Sequence, residues 1–418
     1  MFKFAHIGDC HLGAFRDEVL RGLSLESFNK AMDICLSEKV DFILITGDLF
    51  HSNIPDMDVV NQAVIKMREL RETGINIYVI YGSHDFSPNQ TSVVDILNSA
   101  GLYQKIGQGK IVNERLKLES FKDEKTNTVL VGLSGRSLGL EREYYEILDR
   151  HSLENIRGFK IFAFHTAFDE LKPAQLARMD SIPISYLPKG FDYYAGGHIH
   201  VRLERDIPGY AFIRYPGATF GYNFTDLERF AKGEKPGFYI VSFKDEIKGI
   251  KFVQTDVCEY LLKEYDMSNK NSVQANEELY EQIKNLEVDK KLVLIRIIGE
   301  LSGGKTADIH ISNLKNVLRQ NGAIYADLNR RLLSSREYEG VKVQGKDISE
   351  VEHRLLKENI DAMKITVPYL KGKDGVKIAI ELLEVLRNEI KSNEKKREYE
   401  ARIIKDALQT LKLKEVLE

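Results

Sequence analysis

The sequence predicts an α/β protein, and two observations predict this class. Short apolar runs alternate with segments whose apolar residues recur at helical spacing through the first half of the chain. This alternation is typical of parallel strands covered on both faces. The chain has 418 residues, of which 43% are hydrophobic and 29% charged. That composition can form real cores in about two or three domains.

The elements of the first domain follow one another in order. Strands are predicted over residues 3–7, 41–46 and 76–81, with helices over 24–39, 56–72 and 91–99. After residue 102 the pattern changes to strand pairs, with strands within 110–118 and 128–133 joined by a charged loop. Strands over 160–164, 192–195 and 237–243, and a hairpin within 201–215, complete the domain, which we place at residues 1–245.

The rest of the chain divides into two parts. Residues 246–335 contain a small α+β domain of β-α-β-α-β order, with strands within 251–266, 292–298 and 323–328. Its helices are predicted over residues 272–286 and 311–320. Residues 336–418 are strongly charged, and helices are predicted over 350–363, 376–390 and 395–417.

Composition excludes several classes of protein. The chain carries 60 Lys and Arg against 63 Asp and Glu, so net charge gives no support for nucleic-acid binding, and a basic surface would have to be local. No apolar run approaches the roughly 20 residues of a membrane helix. The N-terminal residues indicate a strand and a loop rather than a signal peptide, and the three cysteines are widely separated. We therefore expect a cytoplasmic protein without a membrane span.

Histidine and aspartate collect directly after the predicted strands. Ligands bind at the carboxyl ends of strands in open α/β sheets. A single histidine at such a position is more commonly a hydrogen-bonding loop residue, but repetition at successive strands predicts one clustered site. No such role is expected for His6, His151, His310 and His353. The candidate residues are Asp9, His11, Asp48, His51, His84, Asp85, His165, His198 and His200.

The residue types in this cluster suit divalent metals. Imidazole and carboxylate ligands favour manganese, iron or zinc, without the set of thiolates that is typical of a structural zinc site. One carboxylate can bridge two cations roughly 3.5–4 Å apart, and such a pair activates a water for attack on a phosphate. Glycines let the backbone turn sharply and approach the site, at Gly47, Gly82, Gly196 and Gly197.

These segments resemble the five ordered motifs of calcineurin-like metallophosphoesterases: Asp9-Cys10-His11, Gly47-Asp48-Leu49-Phe50-His51, Gly82-Ser83-His84-Asp85, Phe164-His165 and Gly196-Gly197-His198-Ile199-His200. The GDLFH form, Pro216-Gly217 and the two attached regions are similar to the SbcD-type subunit of DNA double-strand-break repair nucleases. The resemblance implies a core of two packed mixed sheets flanked by helices. It also implies a capping domain at residues 246–335 and an ATPase-binding segment at residues 336–418.

By matching position, the resemblance implies a role for each motif residue. One metal would be held by Asp9, His11, Asp48 and His200, and a second by Asp48, Ser83, His165 and His198. Of the metals that these ligands suit, the resemblance favours Mn²⁺. His84 would contact the scissile phosphate and protonate the leaving oxygen, which suits an imidazole near neutral pH. His51 would position the substrate strand, and Asp85 would either orient His84 or stabilise a turn.

Ser83 departs from the family motif, which has asparagine at this position. A serine hydroxyl is a shorter and weaker neutral ligand than an amide oxygen. The substitution predicts a looser second site, a different metal preference, or a protein that binds DNA ends as a scaffold with little turnover.

Signals for substrate and partner are local. Arg229, Lys232 and Lys235 lie in a predicted loop over residues 223–235, where they either contact DNA phosphates or form a solvated surface. The resemblance implies that the C-terminal helices bind an SMC-like ATPase of the SbcC type. The alternative is a helical hairpin that packs on itself. A homodimer is also implied by the resemblance.

Together these observations predict a manganese-dependent DNA exonuclease and endonuclease of double-strand-break repair, acting on double-stranded ends, single strands or hairpins. The alternatives are the scaffold without turnover and another phosphatase or phosphodiesterase of the same superfamily.

Overall fold

The computed structural model describes residues 1–86, 91–136, 141–173, 176–177, 179–336, 348–362, 365, 367–389, 391 and 396–413. The described residues form two compact units. The first consists of Met1–Gly299 and Ala307–Leu333, and the second comes from Glu300–Thr306 and Ser334–Glu418.

The first sheet of the larger unit has the strand order β14-β13-β1-β2-β3-β4. Strands β1 to β4 are parallel, and β13 is antiparallel to both β1 and β14. Its strands are β1 (Phe2–Ile7), β2 (Phe42–Thr46), β3 (Asn76–Ile80), β4 (Gln104–Lys105), β13 (Gly237–Phe243) and β14 (Ile247–Gln254). Strand β14 extends this sheet past residue 245, where the sequence predicts the end of the first domain.

Side chains that point alternately to the two faces of this sheet contribute to two separate hydrophobic cores. Ile43 and Ile45 of β2 face three helices, whereas Phe42 and Leu44 face the second sheet. The helices are α1 (Glu18–Ser37), α2 (Met57–Glu72) and α3 (Val93–Ser99). The sheet is therefore covered by helices on one face only, because a second sheet occupies the other.

The second sheet has the order β11-β12-β10-β9-β8-β7. Its strands are β7 (Phe121–Lys122), β8 (Val129–Leu133), β9 (Lys160–His165), β10 (Tyr193–Gly197), β11 (Leu203–Ile207) and β12 (Tyr210–Tyr215). The outer face packs on α4 (Glu141–Glu146) and α5 (Arg150–Glu154) through Tyr145 and Leu153. The inner face meets the first sheet, where Phe4 packs edge-on against Tyr193. The predicted α/β core of two packed mixed sheets flanked by helices is confirmed.

Smaller elements complete the larger unit. Strands β5 (Gly109–Val112) and β6 (Arg115–Leu118) form a hairpin, and α6 (Phe224–Ala231) lies between β12 and β13. A small sheet of order β15-β16-β17 follows, with β15 parallel to β16. Its elements are β15 (Glu259–Asp266), α7 (Ser272–Lys284), β16 (Lys291–Leu301), α8 (Ile311–Gln320) and β17 (Tyr325–Ser335). The chain order of these elements is the one that the sequence predicts.

The helices of the second unit are α9 (Ile348–Ala362), α10 (Gly372–Leu386) and α11 (Lys396–Thr410). Helix α10 packs against both of the others and buries Val376 and Ile378. The predicted helix ends at residues 363, 390, 395 and 417 lie outside the described residues. Among the described helices, none is both long enough and apolar enough to cross a membrane.

Candidate metal centre

The loops after β1, β2 and β10 have unusual backbone conformations. Asp9, His11, Asp48 and His198 all have positive φ, between 44° and 85°. Non-glycine residues rarely adopt this region, and such residues cluster at functional sites, where the surrounding structure stabilises them. The strained positions are therefore an independent sign of a site at this edge of the two sheets.

One group of ligand atoms joins the two sheets. Potential ligand atoms of Asp9, His11 and His200 all lie within 4.8 Å of one another. The Nε2 atoms of His11 and His200 are 3.0 Å apart, although their residues come from different sheets. Two imidazole nitrogens and a carboxylate oxygen thus converge on one small volume.

A second group shares Asp9 and adds Asp48 and His165, again within 4.8 Å. Asp48 Oδ2 lies 3.2 Å from His165 Nε2 and 3.6 Å from His11 Nε2. The Asp48 carboxylate therefore stands between an imidazole of each group.

The ring of His165 is oriented by a hydrogen bond to a backbone carbonyl. Its Nδ1 lies 2.8 Å from the carbonyl oxygen of Thr46, and a carbonyl can only accept. Nδ1 therefore carries the hydrogen and Nε2 faces Asp48. Side chains cannot replace two nearby glycines: a Cβ at Gly82 would lie 2.1 Å from Asp48 Oδ1, and one at Gly197 would lie 1.9 Å from the Thr46 oxygen.

A third group contains His11, His51 and His84. The rings of His51 and His84 are stacked, with centroids 4.7 Å apart. The backbone N–H of His84 donates to Asp48 Oδ1 at 2.9 Å, and its Nδ1 donates to the His51 carbonyl at 2.7 Å. These contacts fix the His84 ring and leave its Nε2 as the ring nitrogen that is not used in them.

The remaining predicted residues have different surroundings. The backbone N–H of His198 donates to Asp9 Oδ1, and its ring lies 5.2 Å from that of His165. Ser83 precedes His84 in the turn after β3. Asp85 accepts hydrogen bonds from the backbone N–H groups of Gly82, Leu49 and Phe50. Its carboxylate thus joins the loops after β2 and β3, which is the turn role that the sequence leaves open for it.

Burial and charge act in opposite directions on these groups. Burial raises the pKa of Asp9 and Asp85, the latter to about 7. Burial alone would raise the pKa of Asp48, but the imidazoles of His165 and His11 lower it overall. Burial lowers the pKa of His11 and His198. The imidazoles of His11 and His198 are therefore neutral, which is the form that binds a metal.

The donor set fits divalent metal ions. Asp9 Oδ2 and His165 Nε2 are buried and form no hydrogen bond within the described structure, although Asp48 Oδ2 lies 3.2 Å from His165 Nε2. Leaving a buried polar atom unpaired costs about 1–3 kcal/mol, and more if it is charged. Both atoms belong to the ligand groups above. Cations bound at this centre would give both atoms a partner.

Two residues near the centre were not predicted as site residues. The Tyr222 ring lies among three histidines, with centroid distances of 4.6 Å to His11, 4.8 Å to His200 and 5.2 Å to His51. Asp226 Oδ2 lies 3.1 Å from His200 Nδ1. The only sequence signal for Tyr222 is that three other aromatic residues lie near it in the chain, at Phe220, Phe224 and Phe230. Asp226 lies in the same segment and has no further sequence signal.

The predicted loop over residues 223–235 is wrong in its first part, which forms α6. Asn223 caps the helix by accepting from the Asp226 N–H, and Leu227 and Phe230 are buried on its apolar side. Arg229 points inward, with 17% of its side chain exposed, and contacts Asp226. Lys232 and Lys235 are about half exposed and pair with Glu228 and Asp256.

Comparison with known proteins agrees with this geometry. Residues 2–202 match the family model described as calcineurin-like phosphoesterase. The chain is 25% identical to the DNA double-strand break repair protein Mre11 of Methanococcus maripaludis, over 88% of this chain and 99% of that protein. It is 26% identical to the protein of that name from Archaeoglobus fulgidus, over 85% and 80% respectively. With the one from Sulfurisphaera tokodaii, the identity is 28% over 61% and 63%.

The matched residues include every strand-end carboxylate and imidazole described above, from Asp9 to His200. Over residues 2–202, the chain is therefore similar to the calcineurin-like phosphoesterases.

Proposed function

We propose that this protein is a two-metal phosphodiesterase that cleaves DNA during the repair of double-strand breaks. The observation that carries the proposal is the set of buried metal-ligating side chains from two sheets, two atoms of which form no hydrogen bond in the described structure. The relatives with which the chain aligns over most of its length are named for double-strand-break repair.

In this proposal, a first metal position is formed by Asp9, His11, Asp48 and His200. A second metal position is formed by Asp48, Ser83, His165 and His198, with Asp48 common to both. Mn²⁺ is the proposed ion, since carboxylate and imidazole ligands suit it. Two bound cations would polarise the phosphate and lower the pKa of a bound water so that it can attack at neutral pH.

His84 is the proposed proton donor to the leaving oxygen. Its Nδ1 hydrogen is engaged by the His51 carbonyl, so the proton has to leave from Nε2 of the imidazolium form, which becomes a neutral imidazole with its hydrogen on Nδ1. His51 stacks on His84 and restricts the ring to this orientation. Asp85 has an indirect role: it accepts hydrogen bonds from both loops that carry Asp48 and His84, and so holds these loops together.

The proposed substrate contacts are electrostatic. Lys232 and Lys235 are exposed enough to reach a phosphate, whereas Arg229 is engaged by Asp226 and the His200 carbonyl. We further propose that α9, α10 and α11 bind an SMC-like ATPase of the SbcC type, and that two copies of the chain form a dimer.

The test is a nuclease assay with the purified protein, Mn²⁺ and linear or hairpin DNA. We expect cleavage by the parent, and a loss on the order of 100-fold or more in His84→Ala, with both metals still bound. His151→Ala is the matched control, because His151 is an exposed histidine whose described contacts are with Asn155. If His84→Ala cleaves as well as the control, the role of His84 is refuted.

The same preparation separates the alternatives. Hydrolysis of p-nitrophenyl phosphate or cyclic nucleotides without DNA cleavage would indicate a phosphatase or a small-molecule phosphodiesterase. DNA binding without hydrolysis of any of these substrates would indicate the scaffold.

A further inference from the structure

Helix α6 presents one carboxylate to the metal centre. Asp226 lies in its first turn and is 4% exposed. One carboxylate oxygen, Oδ2, lies 3.1 Å from His200 Nδ1 and accepts from the Tyr222 N–H at 3.3 Å. The other oxygen accepts from Arg229 Nη2 at 2.9 Å. Every oxygen of this buried carboxylate is thus occupied, and one of its partners is a ligand candidate.

The contact with Asp226 determines the tautomer and the ring orientation of His200. A carboxylate beside Nδ1 places the hydrogen on that nitrogen, which leaves Nε2 as the atom that faces His11. Arg229 also donates to the His200 carbonyl at 3.1 Å, so the backbone and the ring of His200 are both fixed from α6. A ring held at two points has little freedom to turn away from a cation.

The other side of α6 is fixed by the small sheet. Glu228, which is 4% exposed, pairs with Arg296 of β16. Leu227 belongs to an apolar cluster with Leu292 and Leu294 of the same strand. Helix α6 therefore has an anchor that does not depend on the metal centre, and Asp226 is held in place before any cation binds.

We propose that Asp226 is a positioning residue, which fixes the tautomer and the orientation of His200 for the first metal position. Carboxylates that bind a ligating histidine in this way commonly alter metal affinity by 10–100-fold when removed. This inference rests on the proposed metal centre, but it is tested without DNA. A failure of the parent to cleave DNA would count against the nuclease and would leave the inference intact.

The experiment is a Mn²⁺ titration by calorimetry, with electron paramagnetic resonance to detect the coupled Mn²⁺ pair. In Asp226→Ala, we expect the affinity of the ion at the first metal position to fall roughly 10–100-fold, and the coupled signal to require correspondingly more Mn²⁺. Asp206→Ala is the matched control, because Asp206 also pairs with an arginine of low exposure, Arg214, and accepts one backbone N–H. We expect parent affinity in the control.

Asp226→Asn keeps the shape and can still accept from Nδ1, but it pairs weakly with Arg229. We expect a smaller loss, about tenfold at most, and this variant decides the question if Asp226→Ala does not fold. The proposal is overturned if the aspartate variants that fold bind both ions like the parent. It is equally overturned if Asp206→Ala loses as much affinity as Asp226→Ala, since general destabilisation would then explain both.

Discussion

The two proposed metal positions differ in the group that contacts Nδ1 of one of their histidines. In the first, His200 Nδ1 faces the charged carboxylate of Asp226, which is itself paired with Arg229. In the second, His165 Nδ1 donates to the neutral carbonyl of Thr46. A carboxylate raises the basicity of a ligating imidazole more than a carbonyl does. The second position also has Ser83 where the family has an amide. We therefore expect the first position to bind its ion more tightly.

Removal of the shared Asp48 carboxylate would weaken both metal positions, so that they could no longer be compared. Of the changes considered, this one has the largest expected effect on metal binding and cleavage. Asp48 lies between His11 and His165, so Asp48→Asn weakens both positions. We expect the metal content to fall below two ions per chain by mass spectrometry, and the cleavage rate to fall on the order of 1,000-fold. Asp206→Asn, away from the centre, should keep both ions. Two bound ions in Asp48→Asn would show that Asp48 is not shared.

Restoring the family residue would sharpen the comparison. In Ser83→Asn, an amide oxygen replaces the hydroxyl, and we expect the weaker Mn²⁺ site to tighten about tenfold in calorimetry. Cleavage at low Mn²⁺ should rise by a similar factor, while the tighter site stays unchanged. Ser181→Asn, at a partly buried serine that contacts Asp169 away from the ligand candidates, is the control. An unchanged weak site would mean that Ser83 does not limit metal binding.

The smallest expected effect is on stability. A ligand present at 100 times its Kd stabilises the folded state by about 2.7 kcal/mol, and one at ten times its Kd by about 1.4 kcal/mol. If the two positions differ tenfold, a single Mn²⁺ concentration should give about these two contributions. Scanning calorimetry of the larger unit's transition across a Mn²⁺ titration shows them as two successive increases in the slope of Tm against the logarithm of the Mn²⁺ concentration. A single increase in slope would indicate equal affinities and remove the difference between the positions.

The sequence could group several of the candidate ligands because parallel strands deliver their carboxyl ends to one edge. Asp9, Asp48 and His165 could be grouped from their places after predicted strands alone. The packing of two sheets could not be derived from local patterns, because the inner residues Phe42 and Leu44 are as apolar as the outer Ile43 and Ile45. It entered the prediction only through the family resemblance.

The residues that contact the candidate ligands could not be predicted from the sequence, for a different reason. Asp226 reaches His200 across 26 residues, and the intervening hairpin and helix decide whether they meet. Helix α6 is short and carries several charges, so its pattern indicated a loop, either solvated or in contact with DNA. The backbone contacts of Asp85 likewise depend on how two loops approach each other.

The division of donors between the two sheets has a consequence for folding. Asp9, His11 and Asp48 follow strands of the first sheet, whereas His165 and His200 come from the second, which is formed by later residues. A newly made chain whose sheets have not yet docked lacks part of each proposed metal position. In the proposed nuclease, the ability to cut nucleic acid would thus arise only at the end of folding, so that immature or partly unfolded molecules are harmless to a genome.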